Sequence, residues 1–183
     1  MNRRALLAGL LGAAVAGPTA AFPGLYQTRW NGVGQSFLWL RLAGRAEEAH
    51  VRFRTDDGRL LEEGVRRLSW ALRDWRDADA AVWIDYRLFD VLAYLQTAAT
   101  LETDAPTALV ITSGYRTRRR NATLRGAARE SQHIFGRAVD LGVDGLPGDR
   151  VAEIAEAAGA AGIGRYKRFT HIDVGREGRR WSA

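Results

Sequence analysis

Three histidines and no cysteine stand in this chain of 183 residues, so any transition-metal centre must be built from imidazole and carboxylate. The histidines are His50, His133 and His171. Two of them fall in segments dense with other polar chemistry. The first runs Ser131-Gln132-His133-Ile134-Phe135-Gly136-Arg137-Ala138-Val139-Asp140, the second Phe169-Thr170-His171-Ile172-Asp173-Val174-Gly175. Alternate side chains of a strand share a face. Ala138 and Asp140 therefore point one way while Val139 and Leu141 point to the core, and His171 and Asp173 share a face opposite Thr170, Ile172 and Val174. If the two strands pair, Asp140 and His171 come within a few ångströms. Gly136 lets the chain bend so that His133 reaches the same point. Two imidazoles and one carboxylate with a fourth position open form the ligand set of a catalytic zinc site rather than a closed structural one. One histidine beside an aspartate is usually a hydrogen-bonded pair without metal. Here two such patterns occur in order after Ser113-Gly114-Tyr115-Arg116, which coincidence explains poorly. His50 stands alone and reads as structural.

The elements that must position these residues are legible from periodicity. Phe37 to Leu42 and Ala49 to Thr55 alternate as strands, with Gly44 to Glu48 between them, which predicts a hairpin closed by an Asp56-Asp57-Gly58 turn. From Leu61 the period changes. Leu61, Val65, Leu68, Leu72 and Trp75 recur at three- and four-residue steps, as in an amphipathic helix. A second helix starts at Asp85, whose carboxylate suits an N-cap, and runs to about Thr100 with Leu88, Val91 or Leu92, and Leu95 inward. Leu109 to Thr112, Arg137 to Val143 and Phe169 to Val174 read as strands, and Asp149 to Ala160 as a helix burying Val151, Ile154 and Ala158. No βαβα rhythm is present, so the expectation is an α+β domain with a small antiparallel sheet flanked by helices.

Composition narrows the setting. Hydrophobic and charged fractions of 46% and 26% are those of a globular domain, and the length suits one core. A net charge of +6 draws a protein to polyanions of any kind, nucleic acid, acidic lipid or wall polymer alike. The N-terminus decides more. Asn2-Arg3-Arg4, an apolar run from Ala5 to Gly17, then Pro18 and the small residues Thr19-Ala20-Ala21 have the three-part layout of a secretory signal. The run is too short to span a bilayer comfortably, so no stable membrane span is expected once the signal is removed. Adjacent arginines fit a twin-arginine route and an ordinary n-region equally. The expected organisation is a signal peptide at 1–21, a loose lead-in at 22–36 and one domain at 37–183. Export argues against a nucleic-acid partner, for which basic charge alone is weak evidence.

The ordered motifs Ser113-Gly114-Tyr115-Arg116, His133-x-x-Gly136-x-Ala138-x-Asp140 and His171-x-Asp173 resemble those of the peptidase M15 family, in its murein-endopeptidase branch. The resemblance extends over roughly 37–181, through Leu60 to Arg76, Ile84-Asp85 with Arg87-Leu88, Asn121 with Leu124-Arg125, Gly162-Ile163-Gly164 and the closing Arg180-Trp181. It implies a hedgehog/D-Ala-D-Ala-peptidase type of fold, and Zn2+ held by His133, Asp140 and His171. It further implies cleavage of peptidoglycan stem-peptide crosslinks in the periplasm or cell envelope, here by a chain expected to be monomeric. A binding module that keeps fold and metal without turnover is the alternative.

Two residues are expected to carry catalysis. Arg116 stands where the family's arginine contacts substrate, and would hold a stem-peptide carboxylate or steady an oxyanion. Many members have a carboxylate three residues before the last histidine ligand. This chain has Arg168 there, which cannot accept a proton at neutral pH. Asp173 is the nearest substitute, either as the base or as a partner that orients a histidine. Arg118 to Arg120 and the Gly164-to-Arg168 stretch are expected to make the rim of the cleft basic.

Overall fold

A computed structural model describes residues 36–176 and 178–182. The signal segment and nearly all of the lead-in lie outside them. Among the described residues, seven strands form one mixed sheet in the order β2-β1-β3-β4-β6-β5-β7. They are β1 (Phe37–Leu42), β2 (Glu47–Arg52), β3 (Leu109–Ser113), β4 (Ala138–Val143), β5 (Gly162–Arg165), β6 (Thr170–Asp173) and β7 (Arg179–Ser182). Four pairs are antiparallel, while β1–β3 and β5–β7 are parallel. The domain is α+β as expected, but the sheet is larger than a small antiparallel one and not purely antiparallel. The larger size comes from β5 and β7, whose residues give no apolar alternation to read, and the parallel pairs are β5–β7 and the interior β1–β3 pair.

Four α-helices accompany the sheet among the described residues: α1 (Glu62–Ala71), α2 (Tyr86–Thr103), α3 (Arg118–Thr123) and α4 (Gly148–Ala157). Glu62 and Glu63 occupy the first turn of α1, where the helix dipole favours negative charge. The Asp85 carboxylate accepts the Arg87 N–H at 3.1 Å, which caps α2 as its sequence implies. Leu88, Val91, Leu92 and Leu95 of α2 are buried, with Phe89 beside them. Helix α1 ends sooner than its periodicity suggests. Trp75 lies beyond it and is 37% exposed.

Helices α2 and α4 cover one face of the sheet, and the core fills the layer between. Val139, Leu141, Ile163 and Ile172 project into that layer; Asp140, His171 and Asp173 project from the opposite face. Burying a leucine or isoleucine side chain is worth about 1.5–3 kcal/mol, so this alternation holds the strand register firmly. A one-residue slip would exchange the apolar row for the polar one.

A polar clamp holds the other side of the site. The Asp74 carboxylate, 1% exposed, accepts the Thr117 N–H at 2.9 Å and Arg120 Nη1 at 3.1 Å. Asp77 accepts from the Thr117 hydroxyl and from Arg119. The Thr117 hydroxyl in turn accepts the Arg120 N–H at 3.0 Å and caps α3. The clamp fixes the backbone on which Arg116 sits. Asp74→Ala leaves Arg120 without its buried partner, so it should lower unfolding free energy by about 3 kcal/mol in denaturant titration. A change under about 1 kcal/mol would remove the clamp from the account.

Candidate metal centre

The site forms where the sheet places three unlike segments side by side. Strands β4 and β6 pair antiparallel with Asp140 directly opposite His171, and the two side chains share the face that alternation implied. On the far side of β4, Asp140 lies opposite Ser113 at the end of β3. His133 comes from a 3-10 turn, Gln132–Phe135, that precedes β4. Gly136 ends the turn at φ 64°, a left-handed conformation that glycine adopts without strain. A Cβ there would also lie 3.0 Å from the Trp83 carbonyl oxygen. The bend foreseen at Gly136 is thus the device that folds His133 back onto Asp140.

Three atoms able to hold a metal ion converge. His133 Nε2 lies 3.1 Å from Asp140 Oδ1 and 3.2 Å from His171 Nδ1, and His171 Nδ1 lies 2.8 Å from Asp140 Oδ1. The residues are 1%, 3% and 8% exposed. Outer hydrogen bonds assign the tautomers. His133 Nδ1 is 2.6 Å from the Gly114 carbonyl, which can only accept, so Nδ1 carries the proton and Nε2 a lone pair. His171 Nε2 is 3.1 Å from Asp173 Oδ2 and donates there, while Nδ1 faces Asp140 Oδ1 at 2.8 Å. Three ligand-type atoms thus face one point, and either a proton on His171 Nδ1 or a bound cation reconciles them. Tetrahedral ligands about 2.0–2.1 Å from zinc lie roughly 3.3 Å apart, close to the spacing here. Among the described residues these three form the one His/Asp/Glu group compact enough to hold a metal ion.

Protonation follows the same logic. Burial, outweighing the Asp140 carboxylate, lowers His133 below the ordinary histidine value and keeps it neutral. Burial opposes ionisation of Asp140, but the two imidazoles and Arg116 overcome it and hold the carboxyl far below its usual range. For His171 burial acts downward, yet hydrogen bonds to Asp140 and Asp173 prevail and raise it above 6.5. In the metal-free protein a proton on Nδ1 stands where the cation would be. A histidine raised on folding stabilises the fold fully below its unfolded value, and that contribution is lost as pH rises through the folded value. A bound cation displaces the proton, so its own stabilisation grows over the same range. The melting-temperature gap between zinc-loaded and metal-free protein should therefore widen from about pH 6 to pH 8. A gap that is constant across that range would contradict the assignment.

Arg116 and Asp173 occupy opposite sides of the ligands. Arg116 Nη2 donates to Asp140 Oδ2 and Nε donates to Ser113 Oγ at 2.9 Å, while Nη1 has no partner among the described residues. Its N–H donates to the His133 carbonyl at 3.2 Å. Asp173 is 0% exposed and lies on the Nε2 side of His171, away from the point of convergence. Its carboxylate also takes the Gly175 N–H at 2.9 Å and Arg179 Nη2 at 2.7 Å to both oxygens. Burial alone would raise it, but these partners hold it below the usual carboxylate range.

Not every expected participant joins the centre. His50 is exposed on β2, its ring tilted against Trp39 at 4.9 Å between centroids. Arg118, Arg119 and Arg120 are each paired, with Glu130, Asp77 and Asp74, so they are not a free basic rim. Lys167 and Arg168 are exposed, on a loop whose Tyr166 hydroxyl accepts from Trp181 Nε1 at 2.9 Å. Trp181 in turn lies 5.1 Å from the His171 ring, centroid to centroid. The sequence reading gave no role to Ser113, the Gly114 carbonyl or Arg179. The first two stood inside a recognised motif, and a backbone acceptor leaves no mark in residue type.

The sequence of the whole domain matches the family model for the peptidoglycan L,D-endopeptidase MepK, over residues 33–181. The chain belongs to this M15 peptidase family. The MepK of Escherichia coli K12 is 37% identical over 184 aligned positions, covering 95% of this chain and 94% of that protein. That of Shigella flexneri matches to the same extent. A probable MepK from Haemophilus influenzae is 31% identical over 61% of each chain. The family match takes in Ser113 to Arg116, the three candidate ligands and β7 as far as Trp181, so these residues lie inside the shared domain.

Proposed function

We propose that the chain is a zinc-dependent peptidase that hydrolyses peptide bonds in the stem-peptide crosslinks of peptidoglycan. The observation that carries the reading is the convergence of His133 Nε2, Asp140 Oδ1 and His171 Nδ1 on one point. The substrate class rests on the relatives, which carry the name peptidoglycan L,D-endopeptidase. A zinc ion held there supplies Lewis acidity, polarising a carbonyl and making water acidic enough to serve as nucleophile near neutral pH.

The chain's own groups do the rest. Asp140 and Arg116 form a charge-assisted pair that holds Oδ1 toward the histidines and leaves Arg116 Nη1 for the substrate, either its developing oxyanion or a stem-peptide carboxylate. Asp173 orients His171. Its lone pairs are engaged by His171, Gly175 and Arg179, so it does not receive the proton of the attacking water. Exposed Lys167 and Arg168 supply positive charge for carboxylate-bearing wall peptides. The N-terminal pattern supports export to the periplasm or envelope, and no helix among the described residues is long and apolar enough to cross a membrane. We take the active form to be a monomer with the hedgehog/D-Ala-D-Ala-peptidase arrangement.

Digestion of isolated peptidoglycan tests this reading. Mass analysis should find crosslinked muropeptides opened, the activity lost on chelation and regained with zinc. Zinc-loaded protein that opens no crosslink would sink the enzyme and leave a metal-bearing wall-binding module.

A further inference from the structure

One strand between the metal centre and the sheet edge is bare on the face that matters. In β5, Gly162 lies opposite Asp173 on one side and Arg179 on the other; Gly164 lies between His171 and Trp181 in the same way. A Cβ on Gly162 would fall 2.0 Å from Asp173 Oδ2 and 2.9 Å from Arg179 Nη2, and one on Gly164 would fall 2.5 Å from the Trp181 ring. Strands two apart in a sheet are separated by about 9–10 Å, and their side chains meet only if nothing rises between them. Both glycines clear that path. Arg179 thereby reaches both oxygens of Asp173 at 2.7 Å, and Trp181 reaches the His171 ring.

We infer that Arg179 is a positioning residue for the metal ligand His171, acting through Asp173. It rests on the metal reading above. A fully enclosed carboxylate held by one bond could rotate or seek another donor. Three donors from three directions forbid this: Arg179 from β7, the Gly175 N–H beyond β6, and His171 itself. So fixed, Oδ2 takes the Nε2 proton, and Nδ1 is the nitrogen left to give its lone pair to a bound cation. Arg179 touches neither the ligand nor the point where the three atoms meet. The C-terminal strand is thus part of the metal site, and the glycines of β5 are what admit it.

The test compares the full chain with Arg179→Met, Arg179→Lys and Gly162→Ala. Zinc dissociation constants come from competition with a chromogenic chelator, ligand geometry from the visible spectrum of the cobalt(II) form, and a fold control from metal-free melting. Arg179→Met is expected to weaken zinc by about 10–100-fold and to alter the cobalt spectrum. Arg179→Lys, which returns a cation to the carboxylate, should recover most of the affinity. Gly162→Ala should resemble Arg179→Met although Arg179 and Asp173 both remain. Zinc bound by Arg179→Met as tightly as by the parent would overturn the inference. So would equal weakening in the methionine and lysine variants that merely tracks a shared loss of metal-free stability. A parent chain that binds no zinc would instead overturn the metal reading itself, and that arm is read first.

Discussion

Asp140→Asn should leave the protein unable to retain zinc through gel filtration and its peptidoglycan hydrolysis below detection. The change is nearly isosteric, so the effect would come from charge and not from packing. Asp140 is the one anionic donor of the three, and it also carries the hydrogen bond from Arg116. Its removal strands a largely buried guanidinium, so metal-free stability should fall by about 3–5 kcal/mol. His171, raised chiefly against burial by Asp140 and Asp173, should titrate lower by NMR in the variant. A variant that retained zinc at parental affinity would show that the cation sits elsewhere. The comparison with His133→Ala is informative because that variant should lose the metal without exposing an unpaired Arg116.

The second large effect is expected at Arg116. Arg116→Ala should lower kcat/KM by about 10²–10³-fold, the range seen when a donor to a developing oxyanion is removed. Part of the loss will be indirect, since Asp140 Oδ2 loses its partner and zinc should bind about 10-fold more weakly. Measuring turnover at saturating zinc separates the two parts. Arg116→Lys keeps the charge but cannot span Ser113 and Asp140 together, so it should recover only a fraction. A residual loss confined to KM would assign Nη1 to a substrate carboxylate; one in kcat would assign it to the transition state. Full activity at saturating zinc would reduce Arg116 to a support for Asp140.

The meeting of Asp140 and His171 was legible because strand alternation is a strict rule. With Asp140 and His171 on strands, only pairing and register were missing, and the apolar row Val139, Leu141, Ile172 fixes both. The bend at Gly136 was legible for the same reason, since few residues other than glycine turn a chain at positive φ. Helix α2 announced itself by its Asp85 cap and its leucines. What escaped was whatever depends on atoms instead of residue types. That Asp173 shares a face with His171 follows from spacing; which imidazole nitrogen it meets does not, and that choice separates a base from an orienting partner. Strand β5 was hidden because Gly162 and Gly164 give no side-chain pattern, and β7 because its arginines imitate a solvated tail. Helix α3 begins with three arginines and shows no apolar stripe; it is held by the Thr117 cap and by Asp74, some forty residues earlier in the chain. The two hidden strands and the undecided role of Asp173 are one fact, for the bare strand is what lets Arg179 hold Asp173.

The most direct test of the central claim is anomalous diffraction at the zinc edge from crystals of the zinc-loaded protein. One peak per chain is predicted, about 2.0–2.2 Å from His133 Nε2, His171 Nδ1 and Asp140 Oδ1, with a fourth position open to solvent. A peak on the Nε2 side of His171, within bonding distance of Asp173, or no peak near these residues at all, would contradict it.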